Sequence, residues 1–97
     1  MYEIIFHEDV NNDLKELGHS TAVLVLKKIQ KIAKNPFIGV ALGNKANNAL
    51  AGYLKVYVDK KRVRIVYKIN KQKVEVFIIT VGKRNNMKVY KTASNRV

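Results

Sequence analysis

Five side chains in the second half of this 97-residue chain are of the types that handle phosphoryl groups: Lys55, Tyr57, Arg64, Arg84 and Tyr90. Arginine meets two phosphate oxygens at once through its planar fork. Cations held in place stabilise the charge that phosphoryl oxygens gain in a transition state. Tyrosine stacks on an unpaired base or takes part in proton transfer. A lysine crowded by other cations loses its proton more readily and can act as a base near neutrality. Together these groups suit metal-free cleavage of RNA, in which a 2′-hydroxyl attacks the adjacent phosphorus. Each taken singly has a plainer reading, as a cation that keeps a sheet face soluble or a tyrosine packed half-buried.

Other chemistries lack their residues. There are no cysteines, and His7 and His19 stand apart at no metal-ligand spacing, so each reads as a surface or packing histidine and no metal site is expected. Carboxylates are not clustered as a two-metal nuclease needs, and Asp59 and Glu75 are the only acids after residue 50, with no pairing that suits a glycosidase. No glycine-rich phosphate loop occurs, so no nucleotide cofactor is called for. Apolar runs are far shorter than the ~20 residues of a membrane span, and MYEIIFHEDV has neither the basic nor the apolar region of a signal peptide. A reducing, cytoplasmic home fits the cysteine count.

Charge is the abnormal quantity. The chain carries a formal +12, which calls for a polyanionic partner. Residues 1–50 hold six Lys and Arg against five Asp and Glu, a net +1, whereas residues 51–97 hold thirteen against two, a net +11. The excess lies almost wholly where the five candidate residues are.

The elements that must position them follow from hydrophobic period. Residues 2–7 read as a strand. Asp9 can cap a helix to about Leu17 with Val10, Leu14 and Leu17 on one face, and Gly18 stops it. Ser20 offers a cap for a second helix over 21–34, where Ala22, Val25, Leu26, Ile29, Ile32 and Ala33 form one stripe and Lys27, Lys31 and Lys34 another. Residues 37–52 have no strong period and read as a loop with at most one turn of helix. After Gly52 the period becomes two: Leu54, Val56 and Val58 alternate with Tyr53, Lys55 and Tyr57, and Val63, Ile65, Tyr67 and Ile69 alternate with Arg62, Arg64, Val66 and Lys68. Turns fall at 59–61 and 70–72, a third strand covers 73–81, Gly82 ends it, and a short extended piece follows at 88–90. The expected fold is α+β: an N-terminal strand, a two-helix hairpin, then a three-to-four-stranded antiparallel sheet with the helices on one face, in a single domain over residues 1–97. The polar strand residues would then converge on the face away from the helices.

The segments YLKVYV at 53–58, RVRIVYKI at 62–69, VEVFIITVGKR at 74–84 and VY at 89–90 resemble the RelE toxins of the RelE/ParE toxin–antitoxin superfamily, and the element order extends the resemblance over essentially the whole chain. The GKR-x5-Y spacing is its most specific part. The resemblance implies a ribosome-dependent mRNA endonuclease that enters the A site and leaves a 2′,3′-cyclic phosphate and a 5′-hydroxyl. It also implies a cognate antitoxin, with the toxin a monomer alone or a heteromer with that partner. Lys55 matches a catalytic lysine, Arg64 and Arg84 the phosphoryl-stabilising arginines, and Tyr90 the C-terminal tyrosine. Where several RelE proteins carry a second active-site lysine this chain has Tyr57, which leaves Lys55, Tyr57 or Tyr90 as the general base.

Lys27, Lys28, Lys31 and Lys34, with Lys60, Lys61, Arg62, Lys83 and Lys88, are the expected RNA and ribosome contacts. For the helical lysines the alternative is simply the solvated face of an amphipathic helix. Two other functions stay open at this level: a ParE-like toxin acting on DNA gyrase, and a catalytically weak RNA- or ribosome-binding relative.

Overall fold

The computed structural model describes residues 1–42, 50–83 and 88–97. Its N-terminal strand β1 is Glu3–Phe6, and two helices follow, α1 (Val10–Leu17) and α2 (His19–Lys34). Asp9 stands at the head of α1, but its carboxylate caps nothing; its N–H donates to His7 Nδ1 at 3.1 Å. Gly18, at φ 85°, is the hinge between the helices. A residue with a Cβ is disfavoured in that conformation, and the glycine lets α2 begin at His19, ahead of the expected Ser20 cap. The face α2 buries is narrower than expected. Val25, Ile29, Ile32 and Ala33 are buried, while Leu26 is 44% exposed, because it lies about 100° round the helix from Val25.

Asn35 ends α2, and its side chain accepts a bond from the Phe37 N–H at 3.2 Å at the start of a 3-10 turn, Pro36–Ile38. A two-residue strand, β2 (Val40–Ala41), then pairs with β3 (Tyr53–Val58) inside the stretch expected to be loop. Two residues show no period of their own, and the open edge of β3 induces the pairing. β4 (Val63–Asn70) and β5 (Glu75–Lys83) complete a five-stranded sheet of order β1-β5-β4-β3-β2. β1 runs parallel to β5 and every other pair is antiparallel. The sheet thus has more strands than the three or four expected, and β5 continues through Gly82 instead of ending there.

The main core lies between the sheet and the α1–α2 hairpin, where Val10, Val25, Ile29 and Ile32 meet Val56, Ile65, Tyr67, Val76 and Ile78. A β-bulge interrupts strict alternation in β5: Val66 pairs with Thr80, but Tyr67 pairs with Ile78. The extra residue, Ile79, joins a second cluster on the opposite face, and Val81 returns to the main core.

The opposite face differs most from expectation. Instead of an extended piece at 88–90 there is a third helix, α3 (Lys88–Arg96), which buries Val89, Tyr90 and Ala93 against Leu50, Tyr53, Val66 and Ile79. Only three apolar residues mark this helix, too few to show a period, and nine residues do not hold a helix alone. Its packing on the sheet stabilises it.

Candidate active site and nucleic-acid interface

β3 and β4 are in a register that sets Tyr57 directly opposite Arg64, and opposed residues project from the same sheet face. α3 crosses that face and adds Tyr90. The Arg64 guanidinium carbon lies 4.9 Å from the Tyr57 ring centre and 5.1 Å from that of Tyr90, so the cation sits between two phenol rings. Arg64 Nη1 donates to the Tyr90 hydroxyl. Lys55, one pleat along β3 from Tyr57, places Nζ 5.2 Å from the Tyr57 ring and 5.7 Å from the Tyr90 ring. Four of the five candidate residues are therefore brought together by three elements. The fifth, Arg84, lies outside the described residues.

Arg64 is not on an open face as alternation suggested; α3 covers it and leaves it 8% exposed. Its Nε is buried without a hydrogen-bond partner among the described residues. Burying a cation costs several kcal/mol unless it is paired, and none of the described carboxylates pairs with it. Two aromatic faces offset part of this through cation–π attraction, about 1–2 kcal/mol where water is excluded. An anion bound to this guanidinium would supply the opposite charge that the buried cation lacks.

Lys61, expected among the general RNA contacts, has its Nζ 5.8 Å from the Tyr57 ring, beside the candidate centre. The β3–β4 turn brings it there: Asp59, Lys60 and Lys61 all have positive φ, between 53° and 70°. Arg62 N–H closes the turn on Asp59 O at 3.0 Å. Left-handed backbone at three successive residues with Cβ atoms is costly, and periodicity gives no sign of it. The turn faces α2, where Leu24, Lys27, Lys28 and Lys31 form the other wall of a cleft of about 460 Å³ that Tyr57 also lines. Lys34 is exposed further along α2 and Arg62 is exposed beside the turn, outside that cleft. Lys83 and Lys88 lie elsewhere, on a cavity of about 230 Å³ between α1, β5 and α3 that Asp13 and Glu16 also line. Of the expected RNA contacts, Lys27, Lys28, Lys31, Lys60 and Lys61 thus share one cleft with Tyr57, Lys34 and Arg62 lie outside it, and Lys83 and Lys88 form a separate pair on the other cavity.

Two residues that sequence reasoning passed over secure the far end of α3. Arg96 forms a two-point ion pair with Asp13 of α1, Nη1 to Oδ2 at 2.6 Å and Nη2 to Oδ1 at 2.9 Å. The pair spans 83 positions, so no local pattern announces it. The carboxylates of Asp13, Asp9 and Glu16 raise the pKa of Arg96, the hydrogen bond to Asp13 being the largest cause.

The fold and this arrangement define a toxin of the type II toxin–antitoxin class. The sequence profile of the ParE toxin of the type II parDE system matches residues 4–87, and the chain belongs to that family. It is 31% identical over 99 residues to the mRNA interferase toxin RelE of Escherichia coli K12, covering 99% of this chain and 97% of the relative. The mRNA interferase RelE of Shigella flexneri matches equally. Among solved structures, a free arginine double mutant of E. coli RelE aligns over 99% of this chain and 97% of its own, with a TM-score of 0.73 and 25% identity. The same mutant bound to an antitoxin RelB peptide gives a TM-score of 0.72 at 27% identity, with the same coverage. The intact E. coli RelBE toxin–antitoxin complex gives 0.67 at 25% identity, over 89% of this chain and 100% of its own.

Proposed function

We propose that this chain is the toxin of a type II toxin–antitoxin system and acts as an mRNA interferase, an endoribonuclease that cuts mRNA in the ribosomal A site. The observation that carries the reading is the convergence of Lys55, Tyr57, Arg64 and Tyr90 from β3, β4 and α3 on one point. Relatives similar over the whole chain are named as mRNA interferases. The 2′-oxygen attacks the adjacent phosphorus as Lys55, Tyr57 or Tyr90 takes its proton, and the 5′-oxygen leaves and is protonated. The products are a 2′,3′-cyclic phosphate and a 5′-hydroxyl. A phosphoryl oxygen binds the Arg64 guanidinium beside the Tyr90 hydroxyl, and Arg84 supports the same charge. Tyr57 or Tyr90 stacks on the exposed base. Lys27, Lys28, Lys31, Lys34, Lys60, Lys61 and Arg62 hold ribosomal or messenger RNA phosphates through salt-sensitive contacts, with Lys83 and Lys88 beside the Arg84 segment. The 97 residues act as one domain, in the cytoplasm where ribosomes translate. Among the described residues no helix is long and apolar enough to cross a membrane.

The antitoxin partner follows from relatives solved as toxin–antitoxin complexes, and an acidic or amphipathic segment suits the +11 half. The test is to map mRNA ends after adding the protein to programmed ribosomes. Translation-dependent cleavage with cyclic phosphate ends is expected, abolished in Arg64→Ala and in Arg84→Ala. Unchanged toxicity in both variants, or DNA damage without mRNA cleavage, would overturn it.

A further inference from the structure

Tyr90 reaches Arg64 only because α3 lies across β4 and β5, and α3 has little to hold it there. It buries three apolar residues, Val89, Tyr90 and Ala93, within its first two turns. Its last turn is held instead by a polar knot. Asp13 Oδ2 accepts from Arg96 Nη1 at 2.6 Å, from the Thr80 hydroxyl at 3.0 Å and from the Val81 N–H at 3.2 Å. Asp13 Oδ1 accepts from Arg96 Nη2 at 2.9 Å, and Arg96 Nη1 also donates to Ile79 O at 3.0 Å. The two side chains are 14% and 11% exposed. One ion pair thus ties three elements together: α1, the bulged stretch of β5, and the end of α3.

We propose that Asp13 and Arg96 are a positioning pair for the cleavage reaction, fixing the angle at which α3 crosses the sheet and so the place of the Tyr90 hydroxyl beside Arg64 and Lys55. Arg96 lies six positions along the helix from Tyr90, a rise of about 9 Å. Asp13 and Arg96 make none of the contacts that join Lys55, Tyr57, Arg64 and Tyr90, and they act through the helix that carries Tyr90. Geometry explains why an ion pair does this better than another leucine. A bidentate guanidinium–carboxylate pair with two further donors on one oxygen fixes direction as well as distance, whereas apolar contacts let a short helix slide or roll. Buried in this way, the pair also depends on both partners: losing Arg96 strands the Asp13 carboxylate, and losing Asp13 leaves Arg96 only the more exposed Asp9 carboxylate, at 3.9 Å.

The inference rests on the reading of Tyr90 as part of the active site, and the experiment separates the two. Arg96→Ala, Asp13→Asn and Arg96→Lys are compared with the parent by the NMR signals of the Tyr90 ring and the Arg64 guanidinium. Single-turnover cleavage and ribosome affinity are measured on the same proteins, alone and combined with Tyr90→Phe. We expect Arg96→Ala and Asp13→Asn to shift the Tyr90 signals and break its contact with Arg64. Both should also slow cleavage about tenfold or more, as small misplacements do, with ribosome affinity changed less than twofold. Arg96→Lys, which keeps one bond to Asp13, recovers part of the rate. In the Tyr90→Phe background Arg96→Ala adds no further loss. Unmoved Tyr90 signals in both variants, or additive losses with Tyr90→Phe, overturn the proposal. Shifted Tyr90 signals in both variants together with full activity of Tyr90→Phe would support the positioning and refute the catalytic reading of Tyr90.

Discussion

Ile65 and Arg64 are neighbours in β4, both buried, and they face opposite worlds. On the Ile65 side, the α1–α2 hairpin closes the sheet with Val, Ile and Leu, and the face is filled by apolar side chains. On the Arg64 side, α3 closes the sheet with fewer apolar residues, two tyrosine rings and a cation whose Nε has no partner among the described residues. The first face lowers the free energy of the fold. The second leaves charge and donor capacity unsatisfied, which a stable fold avoids and a phosphoryl-binding site requires. The protein concentrates its stability on one side of the sheet and its chemistry on the other.

The largest effects should separate these neighbours. Arg64→Leu is expected to lower single-turnover cleavage by about 10²–10³ while leaving the melting temperature unchanged or higher, since a buried cation is replaced by an apolar group. Ile65→Ala is expected to cost about 2–5 kcal/mol of stability, a fall in melting temperature of roughly 10–30 °C, with the folded fraction still cutting at the parental rate. A melting temperature that drops equally in both variants would erase the distinction between the faces.

Tyr67 offers a pH test of the stable face. It is fully buried in the main core, its hydroxyl donates to Pro36 O at 2.7 Å, and burial pushes its pKa up to about 12. The unfolded chain ionises this group near pH 10, so the folded state holds the proton longer. Its contribution is complete below pH 10 and is lost as pH rises from 10 towards 12, by roughly 3 kcal/mol in all. Denaturant titrations in that window should show the loss, and Tyr67→Phe should remove this part of the pH dependence. Gly39→Ala should unsettle the same contact, because an added Cβ would fall 2.9 Å from the Tyr67 ring carbon that bears the hydroxyl.

The smallest effect belongs to the strained turn at the edge of the chemical face. Lys60→Gly relieves a left-handed residue and should raise stability by about 1 kcal/mol. The same change removes a cation from the cleft, and the dependence of ribosome binding on the logarithm of salt concentration should become shallower by about one unit. A gain in stability with no change in salt slope would leave the turn as mere connection.

The stable face was the legible one. Period-two and helical patterns marked β3, β4, α1 and α2 because a buried face repeats at the spacing of its own backbone, and the clustering of charge after residue 50 marked the chemical half. Legibility failed where a partner far away in sequence sets the outcome. β2 exists because β3 offers an open edge. α3 exists because Val66, Ile79 and Leu50 await it, and the left-handed turn at 59–61 is held by the register of β3 with β4. The burial of Arg64 could not be read from alternation, which assigns a residue to a face but not what lies over that face.

By itself, then, the sequence determined the class of fold, the two-helix hairpin against a meander, and the set of cations and phenols able to act on a phosphodiester. Tertiary structure decided that Arg64 lies between the rings of Tyr57 and Tyr90, that Lys61 joins them, and that Asp13 and Arg96 tie down the helix that carries Tyr90. The physical reason is range. Hydrophobic period is a local property of a few turns or pleats, whereas the Arg64–Tyr90 and Asp13–Arg96 contacts span 26 and 83 positions and arise only after the sheet and its two covers have packed.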